Sequence, residues 1–443
     1  MKYIERWTFA PTFQANKVNK GTKMDNSYRL TRCAQWVLGV VLLQYALLGN
    51  AQSNGQTSWT FSNSIAVSNL RRSKVFYHLE SSGRKNIAAS EKSVAVVWED
   101  NRTGKSAIYF ATKPFDNKKF DPPVPVSTGN EAVEPSMTAF SDDRYLLAWE
   151  QDGSVWSRLV KAGKLGTPLK LDGGPGGQVS VTSTDGKTAY AVWSQRARAG
   201  QRILIARLSA VGPDLALVSS DAKEIDHSNK DRKNQFYPSV AVARVGVVVA
   251  WEDRRAGHTQ ILYSCAGKNQ AFSRPLVLNE QGPKISSQYG SGTGAARPSL
   301  AAVGGGDIVA VWSDKRDFRS GYDVYSAFIR GSVCRFGPNI KVQDEFGAAI
   351  AQWHPSVIGD EANLVVAVWG DDRNESADIW LSWMKGDGSW SDDLGVPPAS
   401  GDGDQSHPAM TIDHRGKLHL VWVSQDSPSA ASQLRYTETE AKR

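Results

Sequence analysis

The sequence predicts an all-β protein, a seven-bladed β-propeller of four-stranded antiparallel blades, and two observations support this prediction. A strand-like apolar run ending in tryptophan recurs 44 to 61 residues apart, and a Pro followed by Ser or Ala precedes five of the copies by 13 or 14 residues. Repeats of this period each bury their apolar faces against neighbouring repeats, which is typical of rings and solenoids. The seven tryptophans are Trp98, Trp149, Trp193, Trp251, Trp312, Trp369 and Trp422.

Each repeat predicts four strands in order. Around Trp251 there is an alternating run (residues 239–243), a continuous apolar run (245–251), a run that follows a polar turn (260–265) and a short outer run (275–279). Short β-branched runs between Gly, Asp and Asn turns predict an antiparallel meander. Because the second run is apolar at consecutive positions, both of its faces should be covered by neighbouring sheets, as in a propeller.

The two ends of the chain predict how the ring closes. Fourth-strand runs follow the first six copies, whereas the seventh copy stops after its third strand near Glu438. The run from Asn63 to Ser68 offers the missing strand, and its pairing there would leave no open sheet edge at the junction. We therefore expect a single propeller domain over residues 52–443, closed by an N-terminal strand that completes the last blade.

Residues 1–51 predict a leader with an export signal. Arg29 and Arg32 precede the apolar run 36–48, and small residues precede Gln52. Residues 1–23 lack this design, so Met24 is an alternative natural start. The apolar run is short for a membrane span, although a retained signal anchor stays open. We expect a secreted, periplasmic or cell-surface protein with no stable membrane span after signal removal.

The charge balance argues against a nucleic-acid partner. The chain has 52 Lys and Arg against 45 Asp and Glu, but the leader alone holds 7 and 2 of these, so the remaining residues are nearly balanced. Such a surface lacks the basic footprint that nucleic acids require. Since no phosphate-binding loop, calcium loop or nucleophile elbow is present, the sequence predicts no cofactor.

Two cysteines remain beyond the leader, Cys265 and Cys334, near the ends of the third strands of neighbouring repeats. Two cysteines are too few for a disulfide framework, although an oxidising compartment would permit one bridge. The sequence leaves open whether they are bridged or free.

A charged turn between the second and third strands contains an Asp-x-Arg pattern in four repeats. A catalytic pair is needed once, so four equivalent copies favour a structural role. The carboxylate at the strand end can accept backbone N–H groups, and the arginine can pair with it or lie over the Trp ring. The residues are Asp100, Arg102, Asp253, Arg255, Asp314, Arg316, Asp371 and Arg373.

The Trp-x-Asp-x-Arg-x-Gly turn, as in Trp251 to Gly257, followed by an Ile-Tyr or Ile-Trp strand, resembles the repeats of bacterial secreted β-propellers grouped loosely with the sialidase-like superfamily. The resemblance covers about residues 59–438 and implies the propeller fold. Sialidases also carry Ser-x-Asp-x-Gly-x-Thr-Trp boxes and an Arg-Ile-Pro motif, and neither is present here. No sialidase site residue is therefore carried over.

Candidate ligand-binding residues are those at which the repeats differ. In propellers, the residue before the conserved Pro is expected to point to the central axis, where convergent polar groups form ligand sites. Two long loops, residues 220–237 and 280–297, are expected on the same face and are candidate binding elements. The axial positions are Arg84, Glu134, Gln178, Tyr237, Arg297, His354 and His407.

Two functional alternatives follow. The favoured one is a recognition or scaffold module that binds a carbohydrate or an extracellular protein through its central face. The other is a sialidase-like or other glycoside hydrolase, in which Glu134 and Asp404 are the acid and base and two arginines hold an anionic sugar. A metal at His354 and His407 lacks a ligand-spacing motif, so no metal site is predicted. A second carboxylate within about 10 Å of Glu134 is what the hydrolase requires.

Overall fold

The computed structural model describes residues 59–68, 75–80, 83–171, 173–183, 185–198, 200–212, 215–227, 234–280, 294–316, 321–347 and 350–440. The predicted leader, the alternative start at Met24 and parts of both long loops lie outside these ranges.

Seven antiparallel sheets confirm the predicted seven-bladed propeller. Gly304–Gly306 and Pro397–Ala399 are short 3-10 helices, and none of the described helices has the length and apolar character needed to cross a membrane. The strands are Tyr77–His78, Ile87–Ala89, Ser93–Asp100, Ala107–Pro114 and Val124–Pro125 in blade 1; Ala132–Phe140, Arg144–Gln151, Ser154–Lys161, Lys164–Leu165 and Leu169–Lys170 in blade 2; Gly176–Ser183, Thr188–Ala197, Gly200–Val211, Ala216–Ser219 and Lys223–Glu224 in blade 3; Gln235–Ala243, Gly246–Asp253, Gln260–Ala266 and Leu276–Val277 in blade 4; Ala295–Val303, Asp307–Asp314, Asp323–Ile329 and Ile340–Lys341 in blade 5; Trp353–Gly359, Val365–Asp371, Asp378–Trp383 and Leu394–Gly395 in blade 6; and Asp404–Ile412, Leu418–Gln425, Gln433–Glu438 and Ile65–Ala66 in blade 7.

Every blade has four strand positions, although three blades divide one position between two short strands. In blades 2 and 3 the outer position is divided, and both pieces pair with the third strand. In blade 1 the inner position is divided, because Tyr77–His78 and Ile87–Ala89 both pair with Ser93–Asp100. The break in the inner strand of blade 1 brings extra residues to the axis.

Apolar side chains fill the gap between each pair of neighbouring blades. One hydrophobic cluster lies in each of the seven gaps, and one of them joins Val421 and Tyr436 of blade 7 to Trp98 of blade 1. The second strands are buried along their length, as in Ser93–Asp100. The continuous apolar runs of the sequence therefore reflect sheets that are covered on both faces.

The seventh sheet takes its outer strand from the start of the described chain. Ile65–Ala66 pairs antiparallel with Gln433–Glu438, with Ile65 opposite Tyr436. The Ser62 N–H donates to the Glu438 carbonyl at 2.9 Å and extends this pairing. The third strand of blade 7 is thus paired on both edges.

A disulfide links two neighbouring blades. Cys265, in the third strand of blade 4, is bonded to Cys334, in the connection after the third strand of blade 5, with 6.0 Å between their Cα atoms. The bridge answers the question that the sequence left open. It adds a covalent bond between two blades that also meet through side-chain packing and hydrogen bonds.

The Asp-x-Arg turns have a shared geometry. Asp100 accepts the indole N–H of Trp98 at 2.8 Å and the backbone N–H of Arg102 at 3.1 Å, and it also pairs with the Arg102 guanidinium. Arg102 lies 4.0 Å over the ring of Tyr109 in the third strand, not over the repeat tryptophan. In the other copies, backbone N–H groups of Arg255, Arg316 and Arg373 donate to Asp253, Asp314 and Asp371.

Blades 2 and 3, which lack the aspartate, have glutamine at the same position, whereas in blade 7 the Trp422 indole N–H donates to Gln405 of the inner strand. The Trp149 indole N–H donates to Gln151 at 3.1 Å, and that of Trp193 donates to Gln195 at 2.9 Å. Six of the seven repeat tryptophans therefore have a side-chain acceptor for the indole N–H, a group that is costly to bury unpaired, whereas the indole N–H of Trp251 is buried without one.

Candidate functional site

Six of the seven predicted axial residues share one unusual backbone conformation. In blades 2 to 7 the inner strand contains a bulge, and the residue before the Pro, or before Val179 in blade 3, has a φ between 49° and 59°. Side-chain-bearing residues seldom occupy this left-handed region, and bulges redirect side chains. The residues are Glu134, Gln178, Tyr237, Arg297, His354 and His407.

Contacts between blades that are not neighbours place these side chains at the ring axis. Arg84 of blade 1 lies 5.4 Å from the ring of Tyr237 in blade 4, and Arg297 of blade 5 lies 3.4 Å from the same ring. The His354 and His407 rings are 4.0 Å apart. With two further residues described below, these side chains form what we call the axial cluster: His78, Glu80, Arg84, Glu134, Gln178, Tyr237, Arg297, His354 and His407.

Two arginines and two glutamates form the charged part of the axial cluster. Arg84, only 1% exposed, places Nη2 2.9 Å from Glu134 Oε2 and Nη1 3.9 Å from Glu80 Oε1. Arg297 Nη1 lies 2.8 Å from Glu80 Oε1. In the Arg84–Glu134 and Arg297–Glu80 pairs, the nitrogen and oxygen atoms that lie closest are buried but are not aligned for a hydrogen bond. Charge attraction holds the cluster together while some of its donors and acceptors stay unused.

Glu80 reaches the axis through an insertion in blade 1. In blade 2, only Glu134 and Pro135 lie between the two inner-strand residues that pair with the second strand on either side of the bulge. In blade 1, residues 79–85 lie between the corresponding positions. Gly83 in this insertion has a φ of 72°, and a Cβ there would lie 2.6 Å from the Pro298 carbonyl oxygen of blade 5. The insertion therefore crosses the axis, and Gly83 permits this close approach.

Three histidines occupy one side of the axial cluster. The His407 ring lies between those of His354, at 4.0 Å, and His78, at 5.4 Å. Burial lowers the pKa of His354 to about 4 and, together with the charges of its histidine neighbours, holds the pKa of His407 well below its usual range. Burial opposes protonation of His78 too, but Glu80 at 3.6 Å outweighs it and raises that pKa.

The environments of the two axial carboxylates push their pKa values apart. Burial favours the neutral form of both. For Glu80, Arg297, His78 and Arg84 outweigh burial and hold the pKa well below its usual range. For Glu134, burial outweighs Arg84, and the neighbouring Glu80 charge adds to it, so the pKa is raised. The pKa values of the two carboxylates are thus shifted in opposite directions.

Acidic residues that directly follow the repeat tryptophan position the axial residues. Glu99 accepts the backbone N–H of Glu134 at 3.4 Å, and Glu252 accepts that of Arg297 at 2.9 Å. Glu150 occupies the same position in blade 2, and burial, with the nearby Glu134 charge, raises its pKa to about 7. These residues bridge neighbouring blades behind the axial cluster.

The structure places Asp404 outside the axial cluster. It begins the inner strand of blade 7, where its backbone pairs with Gln425, and none of the described ion pairs of the cluster includes it. Glu80 is the carboxylate that shares an arginine with Glu134. Since one guanidinium contacts both, these two carboxylates lie within about 10 Å of each other, the range that paired carboxylates use in glycosidases.

An exposed aromatic surface adjoins the axial cluster on the blade 5 and 6 side. Trp353 directly precedes His354, is 48% exposed, and its ring lies 5.2 Å from that of Tyr322. Lys315 lies 5.7 Å over the Tyr322 ring. The half-exposed Trp353 ring beside a polar mouth is therefore a candidate contact for a ligand.

Sequence reasoning missed His78, Glu80 and Trp353. Trp353 could have been found from its position next to an axial residue in the stretch Trp353 to Ser356. His78 and Glu80 could not, because blade 1 lacks the Pro marker and its inner strand is interrupted. Parts of the two candidate loops, residues 228–233 and 281–293, lie outside the described residues.

Neither protein-family models nor curated protein sequences match this chain. Among solved structures, polysaccharide lyase Uly1 is similar with a TM-score of 0.54 and 8% identity, over 89% of this chain and 94% of that one. A protein of unknown function from Dyadobacter fermentans has a TM-score of 0.50 and 10% identity, over 86% and 99%. Penicillium chrysogenum α-L-arabinanase, complexed with arabinobiose, has a TM-score of 0.46 and 9% identity, over 85% and 98%. At identities this low, the first two likenesses show that the chain has the propeller fold.

Proposed function

We propose that this protein, exported from the cytoplasm, binds a glycan at the axial cluster and acts as a recognition module. One observation carries the proposal. The same backbone bulge recurs from blade to blade, but the polar side chains that it directs to the axis differ between blades. A scaffold would need the bulge, but it would not need acid, amide, phenol, guanidinium and imidazole groups there. Convergent polar groups on a rigid frame are what sugar hydroxyls require.

The charges of the axial cluster favour a neutral sugar. Arg84 and Arg297, which the sequence offered as holders of an anionic sugar, are each within ion-pair distance of a glutamate of the chain itself. An anionic ligand would have to displace these carboxylates, whereas hydroxyl groups can bond to the unaligned donors and acceptors. The two low-pKa histidines are neutral at pH 7, and each neutral ring offers one donor and one acceptor.

The aromatic surface supports the same ligand class. The exposed ring of Trp353 offers an apolar face beside the polar axial cluster. A pyranose ring has an apolar face and polar edges, and so matches this combination. The polysaccharide lyase with the same fold is a protein whose name states that it acts on a polysaccharide, which makes glycans the first ligands to test.

Binding of the purified full chain to a glycan array tests the proposal. We expect binding of neutral glycans, and Trp353→Ala should weaken the affinity for the best ligand at least ten-fold. Val333→Ala is the matched control, because Val333 is 69% exposed in the third-to-fourth-strand connection of blade 5, on the opposite face. Failure to bind any neutral glycan, or equal affinity of Trp353→Ala and wild type, would refute the proposal. Capture of an extracellular protein instead would favour the other partner class.

Glycoside hydrolysis is a second candidate, favoured by the Glu80 and Glu134 pair. Two carboxylates that share a site and whose pKa values are shifted in opposite directions are the arrangement from which a general base or nucleophile and a general acid are made. A panel of fluorogenic glycosides tests this candidate. If it is right, Glu134→Gln lowers kcat at least a hundred-fold and leaves glycan binding intact, while Asp404→Asn retains activity. A wild-type chain that binds glycans but cleaves none of the panel would leave recognition as the function.

A further inference from the structure

We propose that the axial tunnel of this propeller binds a small organic acid, whose carboxylate pairs with Lys85. The tunnel is a cavity of 450 Å³ that lies between the inner strands, and Gly83, Arg84 and Lys85 form one of its ends. The same insertion that carries Glu80 into the axial cluster thus separates that cluster from the tunnel. The tunnel site is independent of the glycan-binding proposal.

Lys85 is the charged group of the tunnel that indicates a ligand. Its Nζ lies 3.5 Å from Thr182 Oγ1, and none of the described carboxylates comes within ion-pair distance of it. Burial lowers the pKa of Lys85 to about 8, so the amine is still mostly protonated at neutral pH. A cation in such a place is stabilised by an anion that enters the cavity.

The other charges of the tunnel favour an anion at this end. Arg84, also in the lining, adds positive charge, although it is already paired with Glu134. Glu361 is the carboxylate of the described lining; it is exposed and follows the inner strand of blade 6, at the other end of the tunnel. The two ends of the tunnel therefore differ in charge, and the cationic end is the closed one.

The lining indicates the class of anion. Thr182 and Lys85 offer hydrogen-bond donors at the closed end, and the walls combine hydroxyl groups, such as that of Thr138, with partly exposed apolar side chains, such as those of Val242 and Ile358. One unpaired ammonium matches one negative charge, and the apolar side chains of the walls would solvate a second charge poorly. A monocarboxylate with a short apolar chain satisfies both requirements, and the cavity volume is within the roughly 300–1,000 Å³ of small-molecule sites.

Calorimetric titration of the full chain with butyrate, butyramide and inorganic phosphate tests the proposal. We expect butyrate to bind and the other two to bind at least ten-fold more weakly. Lys85→Gln should reduce butyrate affinity at least ten-fold, whereas Lys92→Gln, whose side chain is 78% exposed, should not change it. Equal binding of butyrate and butyramide, or of butyrate and phosphate, would overturn the assignment.

A measurement on the wild-type chain keeps the test independent of how Lys85→Gln folds. Lys85 is dimethylated with formaldehyde and borohydride at pH 8, and peptide mass spectrometry follows its rate of modification. Butyrate should slow the modification of Lys85 several-fold and leave Lys92 unaffected, while butyramide should slow neither. If butyrate does not protect Lys85, the proposal is wrong.

Discussion

Arginine–carboxylate pairs occur in two regions of this propeller, the repeated turns and the axial cluster, and the two sets are built differently. In the turns, Asp314 and Arg316 are two residues apart and belong to one hairpin. In the axial cluster, Arg297 and Glu80 come from blades 5 and 1. A turn pair stabilises a local conformation that forms with its own hairpin. An axial pair exists only when the ring has closed, so its loss should affect the whole molecule.

The largest effect is expected for Arg84→Met. Arg84 is nearly fully buried and pairs most closely with Glu134, so its removal leaves that carboxylate without its cation, while Glu80 keeps Arg297. Breaking a buried ion pair on one side costs about 3–5 kcal/mol. Urea denaturation should show this loss. Arg330→Met, at an exposed pair with Asp307, should cost no more than about 1 kcal/mol. Equal losses for the two variants would remove the distinction between buried axial pairs and exposed ones.

The disulfide provides a second test of ties between blades. Replacing both Cys265 and Cys334 by Ser should lower the free energy of unfolding by about 2–4 kcal/mol, because the bond restricts the unfolded chain. Dithiothreitol should lower the urea midpoint of the wild type and leave that of the double variant unchanged. A reductant effect of the same size on both proteins would contradict this explanation.

Titration of Glu150 distinguishes the acidic residues behind the axial cluster from surface carboxylates. Its folded pKa of about 7 lies above the unfolded value of about 4.3. The folded state therefore binds more protons than the unfolded state between these pH values, and stability from this group is lost as pH rises through 7. Across this window, wild type should lose on the order of 3–4 kcal/mol relative to Glu150→Gln, since one pKa unit corresponds to about 1.4 kcal/mol.

Denaturation curves from pH 4 to 8 measure this difference. His354 contributes a slope of opposite sign, because its folded pKa is about 4 and its unfolded pKa about 6.5. Comparing wild type with the single variant cancels that contribution. Glu91→Gln, at an exposed position, should show no comparable pH-dependent difference. A pH-independent difference for Glu150→Gln would show that the group titrates normally.

The smallest effect is expected in the turns. Asp314→Asn keeps an acceptor for the Trp312 indole and the Arg316 backbone but loses the charge pair. Glutamine fills the acceptor role in blades 2 and 3, so the cost should be only about 1.5–3 kcal/mol, typical of one hydrogen bond to a charged group. Urea denaturation measures it against Asp307→Asn at the exposed pair. A cost equal to that of Arg84→Met would mean that the turns and the axis are energetically alike.

Much of the fold and part of the site were predictable from the sequence. The buried indoles, the fully apolar second strands and the positions before the Pro follow from local patterns, and the structure places Tyr237, Arg297 and His354 together as those patterns imply. Glu80 was missed because it belongs to an insertion in the one blade without the marker that defines the axial position. Asp404, named as the carboxylate that would act with Glu134, lies outside the cluster because it pairs with Gln425 in the regular part of the strand, whereas the bulge redirects the side chain of His407.

The sequence by itself determined the number of blades, the four strand positions of each and the turns that join them, because each depends on residues close together in the chain. Only the tertiary structure decided which charges meet at the axis, that Cys265 bonds to Cys334, and that a loop crosses the axis above Lys85. Those contacts join different blades, so the residues involved are far apart in the chain. Their partners differ from blade to blade, so no repeated pattern encodes them.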